Sequence, residues 1–195
     1  SQLTTIDDMG FGNCSSLTSF DIPNTVTTIG KNVFSGCIGF TSMVIPNNVT
    51  SIAQGMFYGC TGLTSITIPD TVNSISEYMF YGCTGLTHNS FIFEGQSIFK
   101  EFPPFITSIG PYALYDCSGL TQLTIPSNSG LTFNSIDVTA FGNSGLTDVM
   151  ISSTLASTLL GTDISYSEVT TNNGFLIGLT NQDFFGATVD LWEPL

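Results

Sequence analysis

Five cysteines are the side chains best suited to chemistry in this sequence, and they stand at positions 14, 37, 60, 83 and 117. A zinc site would need C-x-x-C pairs or clustered histidines, and the spacing supplies neither. An odd number also makes a poor disulfide framework. The first four lie 23 residues apart, so they recur at one place in a repeat. They are therefore read as a ladder of small, buried, apolar side chains, a common fate of free cysteine.

The other reactive types are scarce. His88 is the one histidine, and its repeat position is shared with Ser19, Ser42, Ser65, Gln122 and Asp148. That slot is expected to face outward from short strands, so a Ser/His/Asp relay is not expected there. The chain contains no G-x-x-x-x-G-K-[ST] or G-x-G-x-x-G loop to cradle a phosphate. Asp7-Asp8, Asp21 and Asp70 lack the alternation of an EF-hand and read as solvated surface. The sequence is read as non-enzymatic, with no metal and no cofactor.

Charge excludes further classes. Two lysines, Lys31 and Lys100, face fifteen acidic residues, which leaves a net charge of −13 and no arginine. A nucleic-acid binder needs cations to displace counterions, so nucleic acid is not an expected partner. Anionic membranes are disfavoured likewise, and no apolar run approaches the ~20 residues that span a bilayer. Only 9 % of residues are charged while 42 % are hydrophobic, so a core is affordable and the surface must be Ser, Thr, Asn and Gly. Asn13-Cys14-Ser15 and Asn48-Val49-Thr50 match glycosylation sequons, although Cys14 is expected to be buried.

The elements that would carry these residues follow from the period. Ile6, Ile29, Ile52 and Ile75 keep step with the cysteines, as do Phe11, Phe34, Phe57 and Phe80. The clearest unit runs from Leu63 through Ile66, Ile68 and Pro69 to Val72, Ile75, Met79, Phe80 and Cys83. Its first part alternates apolar and polar residues, which predicts a short strand that the proline ends. Ile75 to Phe80 suits a short helical or 3-10 turn, and Gly82 and Gly85 turn the chain back. Stacked copies would lie parallel about 4.8 Å apart, each burying its apolar side on the next.

The pattern L-x-x-I-x-I-P, V-x-x-I and F-x-x-C-x-x-L resembles the leucine-rich repeats of the BspA-like (Treponema-type) family over about residues 3 to 151. The expected fold is a leucine-rich-repeat solenoid: short parallel strands stacked into one sheet, short helical or 3-10 turns on the convex side, and an irregular C-terminal cap. Counting Ile-to-Phe spacings gives about six turns over residues 1–151, with residues 152–195 as the cap. Within the cap, Thr154 to Leu160 suits a short helix, Asn172-Asn173-Gly174 a hairpin turn, and Trp192 a plug for the last turn.

Three departures from the repeat carry the site expectations. The chain starts inside a repeat, so Leu3, Ile6 and Phe11 would form an open assembly edge, belonging to a fragment, a short end or a covered end. Ser1 fits either a removed initiator Met or a cleaved signal. Eleven extra residues separate Cys83 from Cys117, and the insertion near 90–105 carries Phe91, Phe93, Phe99, Phe102 and Phe105. Glu94-Gly95-Gln96 could turn a hairpin there, with its phenylalanines either packed back on the solenoid or offered to a partner. Finally, the link between the fifth and sixth turns gains three residues, and Asn143 stands where a cysteine is expected.

The resemblance implies a non-enzymatic protein-interaction or adhesion module, extracellular or surface-exposed, whose partner is a protein ligand. The alternative is a structural subunit of a filament, virion or tail fibre, joined to a neighbouring subunit or homo-oligomer through the open solenoid end.

Overall fold

The computed structural model describes residues 2–87, 89–93, 105–125, 131, 135–137, 139–146, 148–152 and 188–192. Ten strands follow one another: β1 (Thr5–Ile6), β2 (Thr28–Ile29), β3 (Ser42–Val44), β4 (Ser65–Ile68), β5 (Ser74–Ile75), β6 (Phe91–Phe93), β7 (Ser108–Ile109), β8 (Gln122–Ile125), β9 (Asp148–Ser152) and β10 (Thr188–Trp192). Every pairing is parallel, as expected when each coil repeats the path of the last. Among the described residues the strands form four short sheets rather than one, β1-β2, β3-β4-β6, β5-β7 and β8-β9-β10.

These sheets fall on two sides of the coil. The L-x-x-I-x-I segments supply β3, β4, β8 and β9, where the alternation predicted strands. The V-x-x-I segments supply two-residue ladders, β1-β2 and β5-β7, the latter extended by a bridge from Ile109 to Ile136. Here a serine or threonine faces out and the isoleucine in, so Ile6, Ile29, Ile75 and Ile109 are all buried. Ile75 thus closes a strand before the turn begins.

Among the described residues the convex arch is a run of overlapping turns, without a continuous helix. The reason lies in where alternate N–H groups go. The amides of Gly55, Phe57 and Gly59 donate to Glu77, Met79 and Tyr81 of the next coil at 2.9, 2.9 and 2.7 Å. The amides of Tyr58 and Cys60 donate within their own coil, to Gly55 and Phe57, at 3.0 and 3.1 Å. A helix would keep all of them inside one segment. Sharing them between coils forces the backbone through the left-handed region twice per arch, at Asn32 and Gly36 (φ 54° and 72°) and again at Tyr78 and Gly82 (φ 54° and 68°). Glycine enters that region freely, whereas tyrosine does so at a cost of about 1 kcal/mol or more.

The core is a set of columns running along the solenoid. Val26, Val49, Val72 and Ile106 form one; Phe40, Leu63, Leu86 and Leu120 another; all are buried. The rings of Phe11, Phe34, Phe57 and Phe80 stack in sequence at 5.4, 5.9 and 5.7 Å with planes within 12°. One ladder therefore gains offset-stacking energy at every step in addition to the area it buries.

Three expectations need correction. Cys37, Cys60, Cys83 and Cys117 are buried, but Cys14 is exposed, because no described coil covers it. Asn143 does not stand in the cysteine column. It sits at φ 54°, matching Gly82 and Asp116 (φ 68° and 58°), and Ser144 takes the cysteine's place, its amide bonded to Phe141 as that of Cys83 is to Phe80, so the link between the fifth and sixth turns gains four residues, not three. The residue beside Ser65 is Ser90, not His88, since β4 and β6 pair Ile66 with Phe91. A local turn makes the difference: the amide of Ser90 donates to the Thr87 carbonyl at 3.0 Å, and the Ser90 hydroxyl accepts from the Thr87 amide at 2.8 Å. His88 itself lies outside the described residues, as do Thr154 to Leu160 and Asn172 to Gly174.

Candidate interaction surfaces

The outward strand face is small and polar. Ser42 and Val44 are exposed on either side of the buried Met43, and Val44 shows 60 % of its surface. In β4 the polar Ser65 and Thr67 alternate with buried Ile66 and Ile68. The threonine column beside this face bonds between coils, for the Thr64 hydroxyl donates to the Thr41 carbonyl at 3.0 Å. Part of the column is thus spent on holding coils together.

The insertion phenylalanines divide. Phe91 is buried, 8 % exposed, and meets Phe80 edge-on at 5.5 Å, so its ring belongs to the core. Phe105 is half-buried and packs against the same core. Phe93 ends β6, paired with Ile68. Phe99 and Phe102 lie outside the described residues. Both ends of the insertion are fixed, since Phe91 at one end and Ile106 at the other are buried.

At the first coil, Leu3 is 48 % exposed, Ile6 is buried and Phe11 is half-buried under the ring of Phe20, 4.4 Å away. β1 pairs on one side only, with β2, so its other edge is open among the described residues. At the far end, β10 adds to β9 with Trp192 opposite Ser152, which places a strand from the C-terminal segment on the last sheet.

A fourth surface was not anticipated from the sequence. Five tyrosines gather on the convex arch in two files. Tyr58, Tyr81 and Tyr115 stack at 4.7 and 5.2 Å, with planes 3° and 8° apart. Tyr78 and Tyr112 stack at 5.0 Å and 4°. The files touch through tilted contacts, Tyr58 to Tyr78 at 6.2 Å and Tyr78 to Tyr81 at 5.8 Å. Desolvation among the rings, followed by a hydrogen bond to Asp116 and that carboxylate's charge, pushes the Tyr81 phenol above its ordinary value. Desolvation and the neighbouring Tyr112 and Glu77 do the same to Tyr78. The available signal was the Tyr-x-x-Tyr spacing at 78/81 and again at 112/115.

Thiol chemistry is suppressed along the core. Burial pushes Cys60 and Cys117 up to about 12, and Cys83 well above its ordinary value. Among the described residues no cluster of three His, Cys, Asp or Glu side chains could hold a metal ion. No helix among them is long and apolar enough to cross a membrane.

Parallel coils of about 23 residues around continuous Leu, Ile and Phe columns define a leucine-rich-repeat solenoid. The BspA type leucine rich repeat region matches in six copies, over residues 4–102 and 89–159, and the chain belongs to that family. Its structure is similar to the T. pallidum leucine rich repeat protein, at 21 % identity and a TM-score of 0.57, over 75 % of this chain and 62 % of that one. It is also similar to a leucine-rich repeat protein from Bacteroides ovatus, at 21 % identity and a TM-score of 0.50, over 78 % of this chain and 48 % of that one. The likeness is one of fold, and the chain spans less than two thirds of the length of either. No curated protein sequence matches it.

Proposed function

We propose that the chain is a non-enzymatic protein-interaction or adhesion module, displayed at a surface or secreted. The observation that carries this reading is the insertion anchored in the core at both ends, by Phe91 near its start and by Ile106 just after it. A rigid solenoid presenting one aromatic-rich segment suits recognition of another protein, because ordering costs are met by the scaffold beforehand. Membership in a family of interaction repeats supports it. With no arginine and two lysines, nucleic acid is not among the proposed partners.

The test uses a panel of immobilised matrix proteins and whole cells. The intact chain is expected to bind at least one of them, and Phe99→Ser/Phe102→Ser to lose most of that binding with an unchanged far-UV spectrum. Binding to none of them would overturn the module reading. Undiminished binding by the variant would remove the insertion from it.

A second reading, a subunit of a filament, virion or tail fibre, draws on the open edge of β1 beside the exposed Leu3. A further coil of a longer chain would fit the same edge. Light scattering at micromolar concentration separates the readings. Concentration-dependent growth supports assembly, and a monodisperse monomer counts against it.

A further inference from the structure

We propose that the tyrosine stripe of the convex arch is a docking surface for a cationic segment of a partner protein, one bearing arginine or lysine side chains. The inference rests on the interaction-module reading but uses residues outside the insertion.

Residue type is the first support. Tyrosine is among the side chains that dominate binding at protein interfaces, and the strand face has none in its described columns. Geometry then narrows the ligand. Inside each file the rings cover one another's faces at 4.7 to 5.2 Å, so a sugar ring cannot lie flat on successive tyrosines. The C-terminal end of one file is closed as well. A Cβ on Gly142 would stand 2.6 Å from the Tyr115 ring, which shows how closely backbone and ring approach there.

What remains open is the opposite end. Tyr58 is 39 % exposed, and the residue at its place in the preceding coil is the small Ser35. Tyr78 has Gly55 at the corresponding place, and the side-chain amide of Asn32, one coil further back, reaches over that glycine with its oxygen, a neutral acceptor at the same end of the file. The two rings meet at 55° with centroids 6.2 Å apart. A guanidinium or ammonium seated over that corner would lie within about 6 Å of both centroids, the range of a cation–π contact.

Charge selects the same ligand. The Asp116 carboxylate interacts with the Tyr81 phenol, and Glu77 lies close enough to Tyr78 to perturb it. Lys31 is the single basic side chain among the described residues, in a protein of net charge −13. Such a field draws cations to the stripe and turns acidic partners away.

The experiment measures binding of a fluorescently labelled, end-blocked hexa-arginine peptide to the intact chain by anisotropy, with hexaglutamate as the control. Hexa-arginine should bind and hexaglutamate should not. Tyr58→Ser/Tyr78→Ser should weaken binding about tenfold, as expected for two lost cation–π contacts. Tyr58→Phe/Tyr78→Phe keeps the rings and should stay within about twofold of the intact chain, because the attraction lies in the ring face. Glu77→Gln/Asp116→Asn should weaken binding by several-fold, more than Asp21→Asn/Asp70→Asn, which removes the same charge elsewhere. Absence of hexa-arginine binding overturns the proposal. So does equal weakening by the two charge-removing pairs, or a loss in the Phe variant equal to that in the Ser variant. Phe99→Ser/Phe102→Ser should bind the peptide like the intact chain, so the stripe and the insertion fail independently.

Discussion

The thiol of Cys60 lies 3.0 Å from the carbonyl oxygen of Phe34, a residue of the preceding coil, and donates to it. That oxygen already accepts the amide of Cys37 at 3.1 Å, so one carbonyl is shared between its own turn and the next. The arrangement recurs from Cys37 to Phe11, Cys83 to Phe57 and Cys117 to Phe80, at 3.1, 3.0 and 3.1 Å. The cysteine column is thus more than small apolar filling. Each thiol also satisfies a carbonyl lone pair that a methyl group would leave bare.

Replacing Cys60 with alanine should therefore cost about 1–2 kcal/mol, from the small cavity and the lost weak hydrogen bond together. Cys14→Ala should stay within about 0.5 kcal/mol, since that side chain is exposed. Urea denaturation of both variants measures the difference. Equal effects would show that burial in the column is not what the thiol contributes.

Thiol titration should separate the same residues kinetically. In native protein a disulfide reagent at mildly alkaline pH is expected to modify Cys14 quickly and the four buried thiols slowly, because reaction requires an accessible thiolate. All five should react at once in denaturant. Rapid loss of more than one thiol under native conditions would mean the coils separate readily.

Alkaline pH should weaken the fold. Cys60 and Cys117 are held near 12 in the folded chain against an ordinary 9.0, so above pH 9 the unfolded chain loses these protons first. Their contribution is complete below about pH 9 and falls by about 1.4 kcal/mol per pH unit per thiol towards 12. Cys60→Ala/Cys117→Ala should begin less stable yet decline more gently across that window. Parallel decline of the variant and the parent, followed by thermal melting at stepped pH, would exclude these two thiols as the cause.

Close stacking of coils leaves no room for a side chain at Gly62. A Cβ there would stand 2.3 Å from the Ile38 carbonyl oxygen of the preceding coil, a backbone atom that cannot swing aside. Gly62→Ala should cost about 1–3 kcal/mol, the usual range for overpacking. The equivalent position of the first coil is Ser16, which is exposed, and Ser16→Ala should be nearly neutral. Chemical denaturation distinguishes them, and a neutral Gly62→Ala would mean that neighbouring coils can shift apart.

The sequence by itself determined the columns. A side chain recurring every 23 residues must meet its counterparts when coils stack, so the burial of Phe34, Phe57 and Phe80 could be read from spacing alone. Counting fails wherever a residue does not advance along the coil. The extra turn at Thr87–Ser90 put Ser90 rather than His88 beside Ser65, and no spacing rule shows where an insertion begins. The tyrosine files were hidden for the same reason, because 34 residues separate Tyr81 from Tyr115 and Tyr78 from Tyr112.

Only the tertiary structure decided the partners of single groups. Whether Ile75 ends a strand or starts a helix depends on which coil takes the neighbouring amides, and those acceptors lie 22 or more residues away. Cys14 and Cys37 occupy the same repeat position with opposite burial. A repeat specifies what each coil can offer its neighbour, and exposure follows from whether a neighbour is there.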